Sequence, residues 1–340
     1  PQELEQESYF LKILNLCYGE MLEEMNLMEL RIQQRNDLRD CRVLDLPKRE
    51  DIGSLEMLLS SFSQKKELKG TSVKLDESLK EGKIVAKLGK GAFKTAFLVK
   101  FPDGQTRVIS IGVSKKGKED ILRENEVLRS IREKAVKKPE QFKNLQIVDS
   151  AYLLPLRDSE FGQVVVSQMY TPFFKEGGYE SEPQQFMSFV QGCIEGLYQF
   201  RTQLNRNHHD IKPANMMRTD KNDCVVMDFG SATLLGSEPK EGTALYISPG
   251  DRDKNGILSE DIKGTRDVFA MSLSLISLYY GKEYKDILND CKNRTRGKKC
   301  FDELARKIKK DMQKTNPLLG KLLAEGLEYN KKKRMSFIEF

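Results

Sequence analysis

A two-lobed α+β fold, with a small sheet-rich lobe ahead of a larger helical lobe, is predicted by three observations. Short strand-like runs crowd residues 83–168. Helical periodicity dominates from Gln184 onward. The most apolar stretch, residues 268–280, has 13 positions and contains three serines, so it is too short to span a bilayer and reads as a buried helix. Strands first and helices after point to segregated layers.

The elements follow in chain order. Leu11, Leu14, Tyr18, Met21, Met25, Met28 and Ile32 recur at alternating spacings of 3 and 4, a helical stripe. It serves either packing on the next domain or a dimerising coiled coil; unclear e/g charge patterning favours packing. Leu46-Pro47 interrupts it. Leu55, Leu58, Leu59 and Phe62 form a shorter helical pattern behind a possible cap at Ser54. Residues 65–81 are polar and read as a linker. Residues 1–75 are thus a helical extension and 76–340 the main domain. Strand runs are expected at 83–88, 95–101, 106–113 and 163–168, with Pro102-Asp103-Gly104 as a turn between two of them. Residues 118–133 read as a helix. A small strand pair is expected near 215–217 and 224–227. The small lobe then spans about 83–170 and the large lobe about 171–340.

Of the 340 residues, 39% are hydrophobic and 32% charged, which suits a folded chain with an ion-rich surface. The net charge of +6 is too diffuse for a dedicated nucleic-acid binder, and no DNA partner is expected. The two histidines are adjacent and none of the six cysteines forms a C-x-x-C pair, which disfavours a zinc site. The scattered cysteines read as reduced thiols in a cytoplasmic setting. The chain starts at Pro1 and reads as part of a longer protein.

The chemistry concentrates in two segments. His208-His209-Asp210-Ile211-Lys212-Pro213-Ala214-Asn215 is followed, 13 positions after Asn215, by Asp228-Phe229-Gly230. Asp210, Asn215 and Asp228 can converge at the ends of neighbouring strands. An amide and a carboxylate suit a hard cation that bridges phosphates. A second carboxylate can accept a hydroxyl proton, and a lysine two positions on can neutralise a transferring group.

In order and spacing these segments resemble the eukaryotic-type protein kinase family, and the resemblance covers about 83–340. It implies a bilobal protein-kinase-like fold. Leu88-Gly89-Lys90-Gly91-Ala92-Phe93 resembles the start of the glycine-rich loop, where Gly89 and Gly91 would let backbone N–H groups approach phosphates. Glu124, within Arg123-Glu124-Asn125-Glu126, resembles the family's ion-pairing glutamate. Met169, after the last small-lobe strand, falls among the nucleotide-contacting positions. Residues 242–249 resemble the end of the activation segment, Asp267 the aspartate that opens the central helix, and Arg334 the late arginine.

Four departures stand out. The window 101–114 contains no lysine where the family has one on its third strand; by position the site is Ser110 or Ile111. Lys94 replaces the third glycine of the loop. His209 stands for the catalytic-loop arginine, which normally receives an activation-segment phosphate. Gly250 replaces the glutamate that normally pairs with Arg334. The first two departures can explain each other. The loop is similar to that of the with-no-lysine kinases, and period-2 alternation puts Lys94 on the same face as Ala96. A solvated loop lysine, or another lysine at the phosphates, remains an alternative.

The resemblance implies ATP-dependent phosphoryl transfer to protein Ser or Thr, with Lys212 and Thr243 favouring these over Tyr. Asp210 would orient the hydroxyl, Asn215 and Asp228 would hold Mg²⁺ or Mn²⁺, and Lys94 with Glu124 would place the phosphates. A pseudokinase scaffold and a kinase of small molecules or lipids are the alternatives. The divergent motifs also fit a bacterial effector acting in a host cytosol. Basic clusters at 115–118, 137–138, 292–299 and 331–334 read as solvated surface or as a polyanion site, for an inositol phosphate or acidic lipid. The oligomeric state is not legible.

Overall fold

Period-2 alternation organises the small lobe. The computed structural model describes residues 57–59, 61–62, 67–73, 81–90, 94–114, 119–155, 161–239, 242–282, 286–287, 289 and 298–340. The stripe at 11–32, Gly91 and the basic cluster 115–118 lie outside them, as does most of 292–299. Six strands form one antiparallel sheet: β1 (Ser72–Val73), β2 (Gly82–Lys90), β3 (Lys94–Lys100), β4 (Thr106–Ser114), β5 (Val148–Pro155) and β6 (Phe161–Ser167). Their order is β1-β2-β3-β4-β6-β5. Phe97 and Val99 from β3, Ile109 and Ile111 from β4, and Val164 and Val166 from β6 share one buried cluster on the outer face. Leu58 and Leu59, from the end of the expected extension, are buried in that cluster and Phe62 packs on it. Gly162 makes room for this contact, since a Cβ there would lie 2.6 Å from Leu59. The strand β1 also precedes residue 76 and pairs with β2. The β3–β4 turn closes at Gly104 with φ +86, and Asp103 caps it by accepting from the Gln105 N–H.

On the inner face, Val165 joins the larger core together with Val127, Leu128 and Ile131 of helix α1 (Glu119–Lys137). A short helix α2 (Pro139–Phe142) follows. The large lobe is built on α3 (Pro183–Leu204), α4 (Thr265–Tyr280), α5 (Lys298–Asp311) and α6 (Pro317–Gly326). Every residue of α4 from Thr265 to Tyr279 is buried, as expected of an apolar run this long. Two of its serines are satisfied by their own helix: Ser274 donates to the Ala270 carbonyl and Ser277 to the Leu273 carbonyl. Short strands line the lobe junction: β7 (Thr171–Pro172), β8 (Arg206–Asn207), β9 (Met216–Arg218), β10 (Cys224–Val226) and β11 (Thr233–Leu234).

The cysteines depart from the reduced-thiol expectation. Cys193 on α3 and Cys224 on β10 form a disulfide with Cα atoms 5.5 Å apart, within the usual span. No helix among the described residues is long and apolar enough to cross a membrane.

Candidate active site

The loop between β8 and the 3-10 turn Pro213–Asn215 carries the first motif. Its conformation is set from below. Asp267, in the first turn of α4, accepts the backbone N–H groups of His208 at 2.7 Å and His209 at 2.8 Å. That anchor holds His209 in the left-handed region at φ +63, a conformation that side-chain-bearing residues rarely adopt.

Asp210 projects from this loop into a dense set of donors. Its carboxylate accepts from Lys212 Nζ at 2.7 Å, from the Thr243 N–H at 2.7 Å and from Asn215 Nδ2 at 3.2 Å. Burial would raise its pKa, but the Lys212 ion pair and the Thr243 bonds outweigh this and hold the carboxyl below its usual range. Lys212 Nζ also donates to Thr243 Oγ1 at 2.8 Å, tying the activation segment to the loop. Gly242 is required for this approach: a Cβ there would lie 2.1 Å from the His209 carbonyl oxygen.

The second motif is joined to the first through the backbone. The Met227 N–H donates to the Asn215 carbonyl at 3.0 Å, so the next residue, Asp228, stands beside Asn215. Asp228 has φ +69, and among the described residues its carboxylate makes no hydrogen bond or ion pair. Phe229 is fully buried and stacks on Phe200 with ring centroids 4.9 Å apart. Both side-chain N–H contacts of Asn215 go to Asp210, at its carbonyl and its carboxylate, which reserves the amide oxygen for another partner.

Across the cleft, Lys94 Nζ forms an ion pair with Glu124. Lys94, Ala96 and Leu98 are half-buried while Thr95, Phe97 and Val99 are buried, the alternation that puts Lys94 on the inner face. Burial pushes the Glu124 carboxyl up; Lys94 works against this and the nearby Asp228 carboxylate adds to it. The register identifies the position opposite Lys94. It is Gly112, not Ser110, which faces Ala96, nor Ile111, which is buried in the outer cluster. Gly89 pairs with Ala96 at the end of β2. Met169 lies in the segment from β6 to β7 and is 46% exposed.

One other expectation changes. Arg334 does not lose its acidic partner. Its guanidinium bonds Asp251 at 3.0 Å, with both side chains fully buried. Gly250 leaves no room for the usual glutamate, since a Cβ there would lie 2.1 Å from the Tyr329 carbonyl oxygen; the carboxylate comes from the next residue instead. Thr233, on β11 shortly after Asp228-Phe229-Gly230, is buried and bonds His209 Nε2 at 2.8 Å. Arg266 lies 3.4 Å from the other ring nitrogen. Burial, reinforced by Arg266 against the pull of Asp267, lowers the His209 pKa to about 4.

The basic cluster at 331–334 borders a cavity of about 1120 Å³ that shares no residue with this site. Glu260, Asp302, Glu325, Glu328 and Glu339 also line it, so its charge is mixed. Lys331 spends its ammonium on Ser259 Oγ and the Glu260 carbonyl.

The chain belongs to the protein kinase family: the model of the protein kinase domain matches residues 83–340. It is 30% identical over 105 residues to mitogen-activated protein kinase kinase 9 of Arabidopsis thaliana, covering 29% of this chain and 33% of that protein. It is 28% identical over 102 residues to human dual specificity mitogen-activated protein kinase kinase 7, covering 28% and 24%. A Drosophila melanogaster cGMP-dependent protein kinase is 23% identical over 185 residues, 51% of this chain and 19% of that protein. The matches thus span a third or less of each relative.

Proposed function

We propose that the chain transfers the γ-phosphoryl group of ATP to serine or threonine hydroxyls of protein substrates. The carrying observation is the convergence of Asp210, Asn215 and Asp228 opposite the Lys94–Glu124 pair. Asp210, held ionised, orients the substrate hydroxyl and takes up its proton. Lys212, bonded to both Asp210 and Thr243, neutralises charge at the transferring group. Thr243 at this position supports a Ser or Thr acceptor.

The residues fit a nucleotide–metal complex. Among the described residues Asp228 is an unpaired carboxylate, and it acts on a second nearby carboxylate, Glu124, an arrangement that calls for a cation. With the Asn215 amide oxygen it makes a two-residue oxygen set, suited to Mg²⁺ or Mn²⁺ that takes its other ligands from phosphates and water. When bound, the metal–ATP complex supplies the phosphoryl group and screens its charge. Lys94 and Glu124 place the phosphates, Gly89 and Gly91 bring backbone N–H groups to them, and Met169 lines the nucleotide's base.

The test is radiolabelled phosphate transfer from ATP by purified protein with Mg²⁺ or Mn²⁺, beside Asp228→Ala and a thermal-shift titration. ATP at a hundredfold excess over its dissociation constant should stabilise the parent by about 2.7 kcal/mol. Asp228→Ala should fold and lose the metal-dependent part of that shift. Nucleotide binding without any transfer would favour a scaffold over an enzyme.

A further inference from the structure

Three consecutive residues of α1 reach three different parts of the molecule. Successive helical side chains are about 100° apart, so three in a row span more than half of the helix circumference. Glu124 ion-pairs with Lys94 on β3. Asn125 accepts a 2.6 Å hydrogen bond from Gln163 on β6, and both side chains are buried. Glu126 ion-pairs with Arg206 on β8, two residues before His208. Lys134, near the far end of the helix, donates to the Gln203 carbonyl on α3 at 2.8 Å.

The sheet explains the choice of Gln163. Lys94, Gly112 and Gln163 form one row across β3, β4 and β6. Gly112 contributes no side chain, so Gln163 is the next group along the inner face. Its amide nitrogen serves α1, while its carbonyl oxygen is buried with no partner among the described residues.

We propose that Gln163 and the Glu126–Arg206 pair are positioning residues that fix the rotation of α1 and keep Glu124 turned toward Lys94. The inference rests on the reading that Lys94 and Glu124 serve the phosphates. Turning the helix by one residue would break all three contacts together. The Glu126–Arg206 link also joins α1 to the strand that leads into the catalytic loop, so the two lobes set the helix jointly.

The test is a double-mutant cycle on the full chain. Glu126→Gln is the primary variant because Glu126 is 40% exposed and tolerates substitution; Gln163→Leu is the second. Each should lower turnover roughly tenfold to a hundredfold, the scale of a misplaced catalytic geometry. In a Glu124→Gln background the same changes should cost no further turnover, while their effect on melting temperature persists. Equal losses of turnover in both backgrounds, or full activity of both single variants, would overturn the clamp. Full activity of Glu124→Gln itself would overturn the Lys94–Glu124 reading, and the clamp with it.

Discussion

Replacing Lys94 by alanine should separate a relocated phosphate-binding lysine from a decorative one. The change removes an ammonium from the cleft and leaves Glu124, whose side chain is 4% exposed, without its counter-ion. Losing a charge-stabilising donor from a preorganised site costs about 10²–10³ in turnover, roughly 3–4 kcal/mol. The stability effect carries a sign. Burial and Asp228 already push the Glu124 carboxyl up, and without Lys94 it rises further. A folded-state value above the unfolded one gives stability that is complete below the unfolded pKa and lost as pH rises through the folded one. Lys94→Ala should therefore lose more melting temperature, relative to the parent, at pH 8 than at pH 5.5. The register supplies a rescue. Gly112 stands opposite Lys94 on the next strand, about 4.8 Å away. Gly112→Lys in the Lys94→Ala background should recover tenfold or more of the lost turnover, equivalent to about 1.4 kcal/mol of barrier. The assay is initial-rate phosphate transfer from radiolabelled ATP, with ATP affinity measured separately. Near-parental turnover in Lys94→Ala would refute the reasoning, and a folded double variant with no recovery would refute the register argument.

Asp210→Ala should keep ATP affinity while turnover collapses, because Asp210 acts on the acceptor hydroxyl; parallel loss of both, by calorimetry and kinetics, would count against that role. Asp251→Ala should strand a fully buried guanidinium and lower unfolding free energy by about 3–5 kcal/mol, read by urea denaturation. His209, with its pKa lowered to about 4 from an ordinary 6.5, contributes stability present above pH 6.5 that is lost as pH falls toward 4, roughly 3 kcal/mol in all. His209→Asn, which tolerates the positive φ, should flatten that part of the acid profile. Phosphatase treatment should leave activity unchanged, since Thr233 is already occupied by His209; a large loss matched by Thr233→Ala or Ser237→Ala would contradict this.

What could be read from the chain alone follows the range of the interactions. The catalytic loop and Asp228-Phe229-Gly230 are contiguous, so their spacing carries the geometry. The inner-face placement of Lys94 was legible through strand alternation, a local rule. Its opposite number was not, because Gly112 is set by the length and twist of the β3–β4 hairpin, and counting alone pointed to Ser110 or Ile111. Strand β5 escaped notice because Asp149 and Ser150 spoil its apolar alternation. Gln163, Arg206 and Asp251 were missed for one reason: each acts through a partner 38 to 83 positions away, and no pattern in one sequence reports such pairings. Asp251 was one residue from the expected site, and only the close approach of Gly250 to Tyr329 explains the offset.

Gly112 has a pharmacological consequence. At residue 112 the sheet offers bare backbone, and the ammonium beside it belongs to Lys94 on the neighbouring strand, where it pairs with Glu124. An ATP-competitive compound bearing an uncharged group aimed at residue 112 would meet no charged head group rooted there. Selectivity can therefore be sought with a group that fills the space over residue 112 and leaves the Lys94–Glu124 pair intact.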